Sequence, residues 1–213
     1  MSGLKVVRRE LRIRGETVRR ILRIGAPAAL DGTLTWIGHF LFLLIIGGLG
    51  GGSMDSSLLA AHIVGVRVEA ITYLPAGAWG MAAATIVGQS LGARNSERAF
   101  RAGNEAVRQC LALGVAITAL FFSAAEKIYT LMHDNPAVRE AGVPALRILA
   151  LFQVPHVIYI VYLMALRGAG DTRYPLAVAA VAIYAFRLPL AYVCGIVLDG
   201  GLIGAWVGMY ADL

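Results

Sequence analysis

The sequence predicts an all-α protein, a polytopic bundle of membrane-spanning helices. Hydrophobic residues make up 58% of the 213 residues, charged residues make up 15%, and the mean hydropathy is +0.71. Soluble domains usually carry about 25% charged residues. The apolar residues form long runs that are apolar on every side, unlike the alternating segments of roughly ten residues in a membrane barrel. Because lipid offers exposed backbone no hydrogen bonds, each run must satisfy its own backbone groups as a helix.

Six apolar runs can be followed along the chain. A helix needs about 20 residues to cross the hydrocarbon core. The third run is short, although the apolar patch at 128–132 extends it, and the sixth has only 13 residues. We therefore expect about six transmembrane helices, the last one incomplete. The runs comprise residues 27–49, 63–87, 110–125, 143–166, 175–198 and 201–213.

Lysine and arginine are distributed very unevenly between the connections. When the connections are assigned to alternate sides of the membrane, 14 of these residues fall on the side of the N-terminus and two on the other. Connections that stay in the cytoplasm are enriched in lysine and arginine. The sequence therefore predicts a multi-pass protein of the cell inner membrane. Its N-terminus is expected to lie in the cytoplasm.

The chain divides into a basic segment, residues 1–24, and a transmembrane region, residues 25–213. The basic segment is predicted to be a cytoplasmic linker or an amphipathic helix on the lipid bilayer, since anionic lipid attracts basic residues by about 1 kcal/mol each. No nucleic-acid partner is expected, because the segment abuts a span and lacks stacking aromatic residues. Residues 95–109 are predicted to be a surface helix, capped by Asn95 or Ser96.

Polar residues in the first span lie on a single stripe. Asp31, Thr35 and His39 follow one another at spacings of four, which places them on one helix face. An acid at membrane depth is a candidate acceptor for a proton or a sodium ion. The alternative is that Asp31 lies near the cytoplasmic interface and caps or snorkels. His39 is either a packing residue or a member of a proton relay.

The second span carries Arg67 and Glu69, which do not face each other because they are two residues apart. We expect both to lie one to two turns from the external end of the span. There they pair with other helices or reach the interface. Pro75 is expected to kink the same span.

The fourth and fifth spans contain further polar side chains. Gln153, His156 and Tyr159 share one side of their helix, and Pro155 frees a backbone carbonyl beside them. They either line a cavity or act as polar contacts between helices. Arg187 in the fifth span needs a carboxylate, carbonyls or water as a partner; the acids of the first two spans are candidates.

No motif of a soluble enzyme is present in the sequence. The glycine-rich segment at 47–53 lacks the lysine and Ser/Thr of a phosphate-binding loop. The four histidines and two cysteines show no zinc spacing. We therefore expect a protein that is not an enzyme and that needs no organic cofactor or bound metal.

Four segments resemble the multidrug and toxic compound extrusion (MATE) family: RILRIGAPAAL, AAHIVGVRVEAITYLPAGAWGMAAATIVGQSLGAR, ALRGAGDTRYPL and FRLPLAYV. The motifs VGQ-x-LGA and ALRGAGDTR, in this order and at this spacing, are fairly specific together. The resemblance implies a transporter of twelve helices in two six-helix lobes related by a pseudo-twofold along the membrane normal. This chain resembles the C-terminal lobe. Its expected partners include the missing N-terminal lobe or a second copy of the chain.

The resemblance also implies how ions would be coupled to transport. Many family members place an acid one or two turns after the proline of this first helix, where the chain has Asp31 and Thr35. Sodium-coupled relatives commonly carry an acid eleven residues before the Arg of the R-G motif, where this chain has His156. The chain departs from the sodium pattern there, so coupling to protons through Asp31 and His156 is the better expectation.

The function implied by the resemblance is a secondary active antiporter lobe that exports organic cations or drugs in exchange for protons or sodium. Alternatives are a flippase-like transporter of lipid-linked or polysaccharide precursors, and a membrane fragment inactive in transport. The candidate ion-coupling residues are Asp31, His156 and Glu69, and the candidate cavity residues are Thr35, His39, Gln153, Tyr159 and Arg187.

Overall fold

The computed structural model describes residues 15–49 and 56–211, and in these ranges the chain is almost entirely helical. Eight α-helices and two π-helical segments follow one another. They are α1 (Gly15–Gly48), α2 (Ser56–Gly92), α3 (Ser96–Met132), α4 (Pro136–Leu151), α5 (Gln153–Gly168), α6 (Arg173–Val181), a π segment (Ala182–Arg187), α7 (Leu188–Tyr192), a second π segment (Val193–Val197) and α8 (Gly201–Tyr210). The prediction of an all-α membrane bundle is confirmed.

Within the described ranges, four helices are long and apolar enough to cross a membrane, and the bent pair α4–α5 makes a fifth crossing. α6, α7 and the two π segments form one of these spans, Arg173–Val197. α8 is apolar but has ten residues. The connection α2–α3 contains Arg94, and the connection α5–α6 is flanked by Arg167 and Arg173. Both connections lie at the same end of the bundle as the start of α1; we call this end the basic side.

The first helix is longer than the apolar run that predicted it. α1 has 34 residues, which corresponds to about 51 Å. Residues 15–24 are the first turns of this helix and continue into the span without a break. The rest of the predicted basic segment, residues 1–14, lies outside the described residues, so the proposed boundary at residue 24 stays a prediction.

The predicted surface helix and the third span are a single helix, α3, of 37 residues. Asn95 caps it: the side chain of Asn95 accepts a hydrogen bond of 2.9 Å from the backbone N–H of Arg98. Buried residues recur every three or four positions from Ala99 to Tyr129. The polar first half and the apolar second half thus share one buried stripe, and no residue between them ends the helix.

The fourth span is broken near its middle. α4 and α5 meet at Phe152 with a bend of 57°. Pro155 explains the break, because its nitrogen has no hydrogen to donate to the carbonyl four residues earlier, which is that of Leu151, the last residue of α4. In the fifth span, a π segment precedes Pro189 and the helix continues instead of breaking.

Small residues bring α2 and α5 very close together near the basic side. A Cβ on Gly168 would lie 2.3 Å from the backbone oxygen of Ala84. Gly170 then takes a φ of +88°, which suits glycine. The side chain of Asp171 accepts hydrogen bonds from the backbone N–H groups of Arg173 and Tyr174. These contacts explain the sequence RGAGDTR, which ends one helix and begins the next.

Candidate functional site

A buried carboxylate, an imidazole and a phenol meet inside the bundle. The hydroxyl of Tyr210 donates a hydrogen bond of 2.6 Å to Glu69 Oε1. His156 Nδ1 lies 3.2 Å from the same oxygen, away from the direction of a well-formed hydrogen bond. The side chains of Glu69 and His156 are 11% and 17% exposed. We call these three residues the Glu69 cluster.

Three separate helices position the cluster. Glu69 lies nearly four turns, about 20 Å, from the start of α2. It is therefore deeper than the one to two turns that the apolar run suggested, because α2 begins at Ser56. His156 lies one turn beyond the break at Phe152, so the bend sets its direction. Tyr210 ends α8.

Aromatic and polar groups surround the cluster. The ring of Phe152 stacks on Tyr210 with centroids 5.2 Å apart and an angle of 10° between the planes. Arg187 acts on the Glu69 carboxylate electrostatically. Gln153 is fully buried and donates to the carbonyl of Leu149 at 3.0 Å. Its carbonyl oxygen has no hydrogen-bond partner among the described residues, which suggests a place for water or ligand near the cluster.

A second layer of buried polar contacts lies two turns nearer the start of α2. His62 and Glu69 are seven residues apart and share one face of the helix. Trp206 donates its indole N–H to His62 Nδ1 at 3.2 Å. The ring of Phe42 lies 5.4 Å from that of His62. Trp206 and Tyr210 are four residues apart on α8, so one face of α8 contacts both layers.

Asp31 lies outside the cluster and forms an ion pair with Arg167. The Asp31 side chain is 12% exposed and that of Arg167 31%. The pair ties the first part of α1 to the end of α5 near the basic side. The structure therefore separates Asp31 from the other two candidate coupling residues and gives it a permanently charged partner.

The remaining candidates on α1 also lie apart from the cluster. Thr35 is half-buried, and its backbone oxygen lies 2.8 Å from His39 Nδ1. His39 is exposed, with its ring centroid 6.3 Å from that of Trp36. On α5, Tyr159 is half-buried. Of the predicted site residues, the structure thus gathers Glu69 and His156. Arg187 is close enough to act on the charge of Glu69, and Gln153 lies on α5 three residues before His156.

Tyr210, His62 and Trp206 were not predicted from the sequence as site residues. The spacing of seven between His62 and Glu69 and the spacing of four between Trp206 and Tyr210 were visible signals. Each pair recurs on one helix face. What the spacing did not indicate is that these two faces meet, since α2 and α8 are far apart in the sequence.

The buried ionisable groups and the broken helix together indicate the class of protein, a membrane transporter. Ionisable side chains inside a transmembrane bundle face the bundle interior or a water-filled cavity, and they mark ion or substrate pathways in transporters. Broken helices that place polar groups at membrane depth are a feature of secondary transporters. α4–α5 and the Glu69 cluster fit this description.

The family model described as MatE matches residues 27–193, which is most of the chain. The chain therefore belongs to this family, the MATE transporters. This confirms the family resemblance carried by the four segments and makes the chain a multi-pass membrane protein of a transporter family.

Curated relatives match almost all of the chain but less than half of their own length. "Probable multidrug resistance protein NorM" of Thermotoga maritima is 29% identical over 197 residues, covering 92% of this chain and 41% of that protein. The protein of the same name from Xanthomonas campestris is 31% identical over 207 residues, covering 93% and 42%. The chain thus spans about two fifths of the length of these relatives.

Solved structures confirm the fold. A MOP superfamily transporter from Pyrococcus furiosus superposes with a TM-score of 0.80 at 22% identity, covering 90% of this chain and 41% of that chain. A MATE structure in the bent conformation gives a TM-score of 0.85 at 20% identity, covering 98% and 45%. The bundle is therefore built like about half of a MATE transporter.

Proposed function

We propose that the chain forms one lobe of a secondary active exporter of organic cations, and that protons drive the export by exchange at Glu69. The observation that carries this proposal is the double contact on one carboxylate oxygen, with Tyr210 at 2.6 Å and His156 at 3.2 Å. The relatives named multidrug resistance proteins support the export of drugs.

The chemistry of the cluster favours protons over sodium as the coupling ion. The hydroxyl of Tyr210 donates to Glu69 Oε1, and the His156 imidazole lies 3.2 Å from the same oxygen. A carboxylate beside an imidazole can take up and release a proton.

The proposed exchange works through charge. In the ionised form, Glu69 attracts an organic cation into the bundle, because opposite charges attract strongly where water is scarce. Protonation of Glu69 removes that attraction and releases the cation. The break at Phe152 and the π segments before and after α7 are the points at which the lobe would bend as access alternates between the two sides of the membrane.

The second lobe of the transporter is proposed to come from the missing N-terminal lobe or from a second copy of this chain. The flippase-like alternative receives less support from the structure. Cavity arginines would suit anionic headgroups, whereas the interior of this bundle buries the carboxylate of Glu69; the side chains of Arg67 and Arg147 are exposed. Arg187, which is half-buried, is the arginine that acts on the Glu69 cluster.

Replacement of Glu69 by Gln tests the proposal. We expect E69Q, in the reading frame that contains both lobes, to lose proton-driven export of ethidium from vesicles by at least about tenfold, as expected when an essential acid-base group is removed. Glu105→Gln is the matched control, since Glu105 is an exposed acid on α3 and its loss should leave export unchanged. Proton-driven export by E69Q at the rate of the control would refute the assignment.

Tyr210→Phe provides a milder test because it keeps the ring that stacks on Phe152. Loss of a hydrogen bond to a charged group costs about 1.5–3 kcal/mol, so we expect proton-driven export to fall by roughly 10- to 100-fold while the protein stays folded. Tyr162→Phe is the control: it removes a hydroxyl that donates to Asn104 at 2.9 Å, away from the cluster. Equal effects of both variants would contradict a specific role of Tyr210.

A further inference from the structure

A cavity opens on the basic side, where α1 and α6 enter the membrane. Its volume is about 800 Å³ and its lining is formed by Glu16, Arg19, Leu22, Arg23 and Arg173. Ligand pockets in proteins have volumes of about 300–1,000 Å³. Three guanidinium groups against one carboxylate give the lining a net positive charge. The cavity therefore suits an anionic ligand that is small or is the end of a larger molecule.

The depth of the cavity indicates what kind of anion can reach it. Residues 25–46 of α1 fill the hydrocarbon core. They are uncharged apart from Asp31. Arg23 and Arg19 then lie about 3 Å and 9 Å beyond the edge of the core, at 1.5 Å per residue. The headgroup layer is about 5–8 Å thick on each side. Arg173 begins the other helix that enters the membrane at this level, so we expect Arg23 and Arg173 to lie at the level of lipid phosphates and Arg19 at the outer edge of that layer.

The other nearby acids are already engaged. Asp31 pairs with Arg167, and the carboxylate of Asp171 accepts hydrogen bonds from two backbone N–H groups at the start of α6, including that of Arg173. Glu16 is the acid in the cavity lining. Among the residues that the structure describes, the positive charge of the arginines is thus opposed within the cavity by the carboxylate of Glu16.

We propose that this cavity binds the headgroup of an anionic glycerophospholipid in the leaflet on the basic side. The phosphodiester lies between Arg23 and Arg173, since a guanidinium recognises phosphate oxygens in a bidentate manner. Leu22, whose side chain is 59% exposed, contacts the first carbons of an acyl chain. A soluble phosphate would make no use of this apolar wall. Binding of the lipid would anchor the start of α1 to that of α6, independently of whether the chain transports anything.

Lipid retention by this chain tests the proposal. The chain is placed in nanodiscs that contain equal amounts of phosphatidylglycerol and phosphatidylcholine, and the lipids that stay bound are counted by native mass spectrometry. We expect phosphatidylglycerol to be retained preferentially. The double variant Arg23→Gln/Arg173→Gln should lower its affinity roughly 30-fold, because each arginine at the membrane surface contributes about fivefold. Arg98→Gln/Arg108→Gln is the control, which removes the same charge from exposed positions on α3.

Glu16→Gln provides a second test, in which retention of the anionic lipid is expected to rise instead of fall. Removal of the one carboxylate in the lining should raise retention of phosphatidylglycerol up to about fivefold. Three results would overturn the proposal: equal retention of the two lipids by the unaltered chain, an equal loss in the control double variant, or binding of inorganic phosphate in detergent with no preference among lipids.

Discussion

Glu69 and Asp31 show how strongly the partner of a buried acid determines its chemistry. Asp31 pairs with an arginine, whose guanidinium does not give up its proton in proteins. Glu69 instead contacts a phenol and an imidazole, and an imidazole changes its charge readily near neutral pH. These surroundings are the reason why Glu69, and not Asp31, is the proposed proton-exchange site, while Asp31 links α1 to α5.

The sequence was enough to single out these residues but not to assign their partners. A charge or a histidine inside an apolar run stands out because burial of such a group is costly, so Glu69, His156 and Asp31 could all be identified. Which of them meet depends on how the helices pack. Tyr210 is an ordinary tyrosine in the sequence, and only the position of α8 against α2 gives it a role.

The Asp31–Arg167 pair leads to a prediction about stability and transport. We expect Asp31→Asn and Arg167→Gln each to destabilise the bundle by on the order of 1–2 kcal/mol, because each leaves a partly buried partner uncompensated. The double variant should be destabilised by less than the sum of the two. Unfolding by SDS, followed by circular dichroism, measures this double-mutant cycle. If Asp31 were a coupling residue, D31N would instead abolish proton-driven export whether or not Arg167 is present.

At the scale of the helices, most elements were predictable from apolar periodicity, but their ends were not. Long polar extensions of α1 and α3 belong to the same helices as the spans. Residues 15–26 and 96–110 contain no proline, and Pro27 lies within the unbroken α1. Pro155 breaks its helix, whereas Pro189 is accommodated by a π segment and Pro75 lies within the unbroken α2. A proline alone therefore indicates where a helix is weakened, and packing decides whether it bends.

The close approach of α2 and α5 gives a prediction for Gly168. A Cβ at this position would collide with backbone atoms of Ala84, so we expect G168A to destabilise the bundle by about 1–3 kcal/mol, as overpacking does. Gly77→Ala is the control, because no atom lies within 4 Å of a Cβ at Gly77 and alanine favours helix over glycine. The comparison uses thermal unfolding in detergent. A G168A variant as stable as G77A would contradict this packing of α2 against α5.

At the scale of the whole molecule, the chain is a bundle with chemically different ends. Arginines gather on the basic side, the Glu69 cluster lies deep within the bundle, and the connection between α3 and α4, residues 133–135, contains no lysine or arginine. Which end faces the cytoplasm stays a prediction from the distribution of arginine, a signal that is independent of the number of crossings and agrees with it. The surface that contacts a second lobe could not be predicted from the sequence, because that contact depends on the residues of the other lobe as well.

Labelling of single cysteines tests the orientation. We expect a membrane-impermeant maleimide added outside intact cells to label Asp134→Cys, in the connection between α3 and α4. It should label Ser96→Cys, at the start of α3, only after the membrane is permeabilised, because arginine-rich connections stay inside. The native Cys110 is buried and Cys194 half-buried, and a variant without either cysteine removes background. If Ser96→Cys were labelled in intact cells and Asp134→Cys only after permeabilisation, the predicted orientation would be wrong.

The break at Phe152 has a consequence for biogenesis. α4 and α5 have 16 residues each, and neither reaches the roughly 20 residues that a helix needs to cross the bilayer. The insertion machinery therefore has to accept both halves together, as one interrupted signal, while the ribosome is still adding the later helices. The helices that pack most extensively against α4 and α5 are α2 and α3, which are made earlier. The hydroxyl of Thr118 on α3 donates to the carbonyl of Ala150 beside the joint, so the interrupted pair can be received by helices that are already in the membrane.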